Sequence, residues 1–145
     1  MKQIDILLVE DNEGDIILTR EAFRDSVLKN TIYTVKDGAA AVQYLKKEGD
    51  YLDCVTPHLI LLDINLPKMD GKEVLGIIKT DSQLKQIPVI MLTTSSSPTD
   101  IEECYAKHAD HYITKPIDFE KFINAVQEIE AFWLKLCNTK SLSNV

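Results

Sequence analysis

The 145-residue chain has no apolar run long enough to span a bilayer and no excess of basic charge, its formal net charge being −7. The first absence argues against a membrane span. The second argues against a general nucleic-acid surface, which would be basic. Cysteine is scarce too: Cys54, Cys104 and Cys137 are odd in number and widely spaced. That pattern suits neither a disulfide framework nor a zinc site, and the reading is three reduced thiols in a cytoplasmic protein. The N-terminal "MKQIDILLVEDNEGD" makes a poor signal peptide, because one lysine and a short apolar stretch give way at once to acids. There is no internal repeat and no linker. His58, His108 and His111 show no ligand spacing that can be assumed.

What is present is alternation. "IDILLV", "TIYTV", "LILLD", "IPVIMLTT" and "HYITKP" are apolar or β-branched segments of strand length. Helical patterns lie between and after them. After the first strand the apolar positions are Ile16, Ile17, Leu18, Ala22 and Phe23, and after the second Ala41, Val42 and Leu45. Asp70 with Glu73 three residues on is an acidic capping box ahead of Val74, Leu75, Ile77 and Ile78. Ser97, Pro98 and Asp100 open a helix whose stripe is Ile101, Cys104, Tyr105 and His108. "DFEKFINAVQEIEAFWLKL" is the last helix, and "NTKSLSNV" reads as a loose polar tail.

Continuous apolar strands alternating with helices imply a parallel sheet covered on both faces. Right-handed crossovers make this a flavodoxin-like, doubly wound (βα)5 α/β domain with sheet order 2-1-3-4-5. In such folds ligands sit at the carboxyl ends of the strands. There the first strand delivers Glu10 and Asp11, the third Asp63, the fourth Thr93 and Thr94, and the fifth Lys115 before Pro116. Three carboxylates brought together need a cation to stay ionised, and an all-oxygen set suits Mg2+. Lys115 supplies a point charge for a phosphate or for Asp63, and Thr93 a small donor. Taken singly, Asp11 could be a helix cap and Lys115-Pro116 a turn; their arrival at one end of one sheet points to a metal and phosphoryl site.

The acids of "LLVEDN", the loop "LLDINLPKMDG", the threonine of "VIMLTT" and the lysine of "YITKP" resemble the CheY-like receiver domain of two-component response regulators. The likeness runs over about residues 4–130. It implies that Asp63 accepts a phosphoryl group from the phosphohistidine of a sensor histidine kinase. It also implies that Glu10, Asp11, Asp63 and the backbone carbonyl of Asn65 hold Mg2+, with Glu10 acting through water. Lys115 would pair with the new phosphate, Thr93 would move in to bond a phosphoryl oxygen, and Tyr112 would swing inward as the switch aromatic. Such a protein is no turnover enzyme beyond its own phosphorylation and slow autodephosphorylation.

Within the family, the segment "KKEGDYLDCVTPHL", the ending "EIEAFWLKL" and the lack of an output domain resemble the small stand-alone regulators that partner bacterial phytochromes. That likeness implies a receiver over 1–130 with a C-terminal helix extension and tail over 131–145. It also implies a homodimer through the face of the fourth helix, fifth strand and fifth helix, with Phe132, Trp133 and Leu136 as contacts. Partners would then be proteins, not nucleic acid or membrane. Asp15, Leu18 and Ala22 on the first helix are expected to face the kinase, and Asn12, Asn65 and Ser95 to set phosphoryl lifetime. A haloacid-dehalogenase-type phosphatase would need an acid where Asn65 stands, and a flavodoxin-type carrier would need a neutral phosphate loop where "EDNEGD" stands.

Overall fold

A computed structural model describes residues 3–116 and 118–143. Five strands, β1 (Ile4–Val9), β2 (Asn30–Val35), β3 (Leu59–Leu62), β4 (Val89–Thr93) and β5 (His111–Thr114), form one parallel sheet in the order β2-β1-β3-β4-β5. Five helices alternate with them: α1 (Glu13–Arg24), α2 (Gly38–Lys46), α3 (Gly71–Thr80), α4 (Pro98–Ala106) and α5 (Phe119–Ser143). A 3-10 turn, Gly49–Tyr51, interrupts the polar stretch before β3.

The inner strands β3 and β4 are buried at every position because both faces of the sheet are covered. Leu7, Val9, Ile60 and Leu62 point to the layer of α2, α3 and α4, while Ile6, Leu8, Leu59 and Leu61 point to that of α1 and α5. Side-chain caps start the first four helices. Asn12 accepts from the Asp15 N–H, Asp37 from Ala40, Asp70 from Lys72 and Glu73, and Ser97 from Asp100, with Pro98 in the first turn. Each such cap is worth about 1 kcal/mol.

Several apolar stripes differ from expectation. In α1, Ile17 is 58% exposed and Thr19 is buried in the position the stripe needed, its hydroxyl donating to the Asp15 carbonyl. Ala22 is buried too, so it presents no surface to a partner. In α2 the buried ring is Tyr44, and Val42 is only half-buried. In α3, Ile77 is half-buried beside the buried Val74, Leu75 and Ile78. Only Cys104 of α4 is buried, with Tyr105 and His108 exposed. Lys72 of α3 forms ion pairs with Asp100 and Glu103 of α4. The tail read as loose continues α5 to Ser143; residues 144–145 lie outside the described residues. All three cysteines are free thiols.

Candidate functional site

The register brings the candidate residues together. Val9 pairs with Leu62, and Leu62 with Met91. The Asp63 amide then donates to the Val9 carbonyl at 3.1 Å, which sets Glu10 and Asp63 side by side as the chain leaves the sheet. Thr93 pairs with Thr114, and the Lys115 amide donates to the Thr93 carbonyl. A buried strand therefore ends in a carboxylate because the sheet fixes that carboxylate among its neighbours.

Glu10, Asp63, Thr93 and Lys115 are all buried, Asp63 being 6% exposed. The Lys115 ammonium contacts Glu10 directly and lies 3.0 Å from Asp63 Oδ2. It also lies 3.0 Å from Asp15 Oδ2. Burial pushes the Glu10 carboxyl up to about 7, with the Asp63 charge adding to the rise and Lys115 opposing it. Burial works against the Lys115 charge, yet Glu10 and Asp63 hold the ammonium above the ordinary lysine range.

Asn12, not Asp11, caps α1, so the Asp11 carboxylate remains exposed and available at the rim. Carboxylate oxygens of Glu10, Asp11 and Asp63 lie within 4.8 Å of one another. Three hard oxygen donors converging on one point fit a divalent cation such as Mg2+, which takes oxygen ligands and retains water. A cleft lined by Asp11, Asn65, Pro67, Lys72 and Asp100 leads to this rim.

The loop after Asp63 is folded tightly back. The Gly71 amide donates to the Ile64 carbonyl at 2.8 Å, and a Cβ on Gly71 would meet the Asp63 carbonyl at 1.9 Å. A Cβ on Gly38 would likewise strike the Met69 carbonyl, so the start of α2 braces the loop from the other side. Leu66 and Met69 pack on the core. The Asn65 amide donates to Asp63 Oδ1 at 3.3 Å.

Thr93 Oγ1 accepts from the Ser95 amide at 3.4 Å. Tyr112 is half-buried and its hydroxyl donates to the Ser95 carbonyl at 2.7 Å, while the Ser95 hydroxyl bonds Asp100. Burial raises the Tyr112 phenol above its ordinary range, against the effect of its bond to Ser95. The loop between β4 and α4 thus joins Thr93, Tyr112 and the Lys72–Asp100 ion pair.

Phe132 and Trp133 lie far down α5. Phe132 stacks on His111, Trp133 meets the edge of His58, and with Leu136 all three are half-buried. Two contributors were not singled out for the site from the sequence, Asp15 on Lys115 and Gly38 under the loop. Asp15 stands in the first turn of α1, directly after the acidic end of β1, a placement that could have marked it.

A doubly wound sheet gathering buried acids and one lysine where its strand order reverses defines a class of α/β domains suited to a divalent metal and a phosphoryl group. Residues 6–127 match the response regulator receiver domain, and the chain belongs to that family. It is 43% identical over 130 residues to the response regulator Rcp1 of Synechocystis sp., across 90% of this chain and 88% of that protein. Among solved structures, the phosphorylated cyanobacterial phytochrome response regulator RcpA superposes with a TM-score of 0.87 at 47% identity, covering 92% of this chain and 95% of that one. The Mn2+-bound form of Rcp1 gives 0.84 at 43%, covering 90% and 94%. The protein is a receiver-domain response regulator of the two-component class, whose members work by phosphotransfer, bind a divalent metal at the acidic pocket and have histidine kinases as partners. Among the described residues no helix is long and apolar enough to cross a membrane.

Proposed function

We propose that Asp63 is the phospho-acceptor, served by Lys115, Thr93 and a Mg2+ site of Glu10, Asp11, Asp63 and the Asn65 carbonyl. The observation that carries this reading is the buried contact of Lys115 Nζ with Asp63 Oδ2 at 3.0 Å, beside two further carboxylates. An Asp63 oxygen attacks phosphorus, the new O–P bond forms as the P–N bond to the kinase histidine breaks, and the imidazole leaves. Glu10, Asp11 and Asp63 would hold the Mg2+, which when bound would supply charge neutralisation at the phosphoryl oxygens. Lys115 donates to the same group from a fixed position at the end of β5. Thr93 gives up the Ser95 amide to bond a phosphoryl oxygen.

Because Thr93 and Tyr112 both bond Ser95, that exchange moves the β4–α4 loop, and α4, with its single buried residue, follows. Asn65 offers no proton where a phosphatase would hold its acid, which supports self-phosphorylation and slow autodephosphorylation without turnover of another substrate.

The proposal extends to a cytoplasmic regulator with its receiver over 1–130 and the extension over 131–145. The likeness to RcpA and Rcp1 favours a bacterial phytochrome as the kinase. It also includes a homodimer through α4, β5 and α5. Tyr105 on α4 and Leu134 near the end of α5 are exposed, while Phe132, Trp133 and Leu136 keep part of their surface free.

Intact-mass spectrometry after incubation with acetyl phosphate tests the core of this reading. A phospho-adduct is expected with Mg2+, is expected to vanish with a chelator, and is expected to be absent from Asp63→Asn. An adduct of normal yield on that variant would overturn the assignment.

A further inference from the structure

Lys115 has a partner that the phosphoryl-transfer chemistry does not use. An ammonium carries three N–H donors, and three carboxylates from three separate segments surround this one: Glu10 after β1, Asp63 after β3, and Asp15 in the first turn of α1. Glu10 and Asp63 belong to the oxygen cluster that suits a divalent cation, whereas Asp15 does not. A cation held by that cluster would compete with the ammonium for the oxygens of Glu10 and Asp63. Asp15 is then the acceptor still wholly available to Lys115.

The backbone around Asp15 is independently secured. Its amide is capped by Asn12 Oδ1 at 2.9 Å, and its carbonyl accepts from the buried Thr19 hydroxyl at 2.7 Å. The carboxylate therefore does no capping work for its helix. Its helix position is fixed, its side chain is three-quarters buried, and its Oδ2 accepts from the Lys115 ammonium.

We propose that Asp15 is a positioning residue for phosphoryl transfer, holding the Lys115 ammonium at the acceptor while Glu10 and Asp63 engage the metal and the phosphoryl group. Lysine is a long, flexible side chain with many rotamers to lose. An acceptor that keeps it aimed spares the transition state that cost. The proposal rests on Asp63 as acceptor and Lys115 as its charge partner.

The test is a double-mutant cycle on the rate of phosphorylation by acetyl phosphate at saturating Mg2+. Asp15→Ala is expected to lower the maximal rate about tenfold, the size of one charge-assisted hydrogen bond, with Mg2+ affinity by calorimetry little changed. Asp15→Asn, which keeps an oxygen acceptor, is expected to recover part of the loss. In a Lys115→Ala background the Asp15→Ala change is expected to have no further effect. An equal loss in both backgrounds, or no loss in either, would overturn the role.

A second readout does not need residual phosphorylation by the lysine variant. The side-chain 15N–1H signal of the Lys115 ammonium in the Mg2+-loaded protein is expected to be visible in wild type and lost to solvent exchange in Asp15→Ala. An unchanged signal contradicts the proposal. Failure of wild type to take up phosphate, or normal uptake by Asp63→Asn, would instead bring down the acceptor reading, so the two failures are distinct.

Discussion

At their carboxyl ends β1, β3, β4 and β5 deliver Glu10, Asp63, Thr93 and Lys115, all buried. At their amino ends the same sheet is closed by Ile4, Leu28 and Leu59 and by the rings of Phe132 and Trp133 against His111 and His58. The nearby buried acid, Glu130, accepts at Oε2 from the Val27 amide at 2.9 Å and from the Ser26 hydroxyl, both neutral donors. At the carboxyl ends a single ammonium answers three carboxylates. One end is arranged for stability. The other holds uncompensated negative charge that a divalent cation completes, and so it trades stability for chemistry.

The largest expected effect breaks the charged end. Lys115→Ala leaves Glu10 and Asp63 buried without their cation and should cost about 3–5 kcal/mol in metal-free protein. Mg2+ should restore much of that loss, by more than it stabilises wild type. Thermal melts with chelator and with Mg2+ read this directly, and an equal loss in both would mean that the acids do not share a cation site. The same variant, held folded by Mg2+, should still take up phosphate while α4 and β5 no longer respond in amide exchange.

At the other end, Trp133→Ala should cost about 1–2 kcal/mol through lost packing of a half-buried ring. It should leave the rate of phosphorylation unchanged; a changed rate would show that the two ends are not separable. Sedimentation of the same variant should show weaker self-association, and an unaltered profile would remove the proposed dimer contact.

The smallest effect has the opposite sign. The Tyr44 hydroxyl is buried without a hydrogen-bond partner among the described residues, and its burial raises the phenol to about 12. Tyr44→Phe should therefore stabilise the protein by up to about 1 kcal/mol, read as a raised denaturant midpoint. A loss of similar size would show that the hydroxyl has a partner after all.

Much of this contrast was readable in the residues. The inner strands β3 and β4 are buried along their whole length, so the polar residues at their ends stand out, and the doubly wound topology then says which ends meet. That is how Glu10, Asp11, Asp63, Thr93 and Lys115 could be placed together before any coordinates. Helix faces were harder. Thr19 replaces an apolar residue because its hydroxyl bonds the backbone four residues back, while Ile17 lies exposed; apolarity alone misassigns both. The stripe of α4 was overread: of its residues only Cys104 is buried, and Lys72 of α3 meets the helix through ion pairs to Asp100 and Glu103. Asp15 was assigned to the outer surface because a helical wheel does not show that a lysine a hundred residues later reaches back to it. The polar end of α5 continues a helix already formed, where propagation costs little.

The most direct measurement locates the phosphoryl group itself. Borohydride reduces an acyl phosphate to an alcohol, so a phosphorylated aspartate becomes homoserine and can be placed by peptide sequencing in a mass spectrometer. After reaction with acetyl phosphate and Mg2+, homoserine is expected at position 63 and not at 11 or 15. Homoserine at one of those rim positions, with Asp63 intact, would contradict the assignment of the buried strand end as the acceptor.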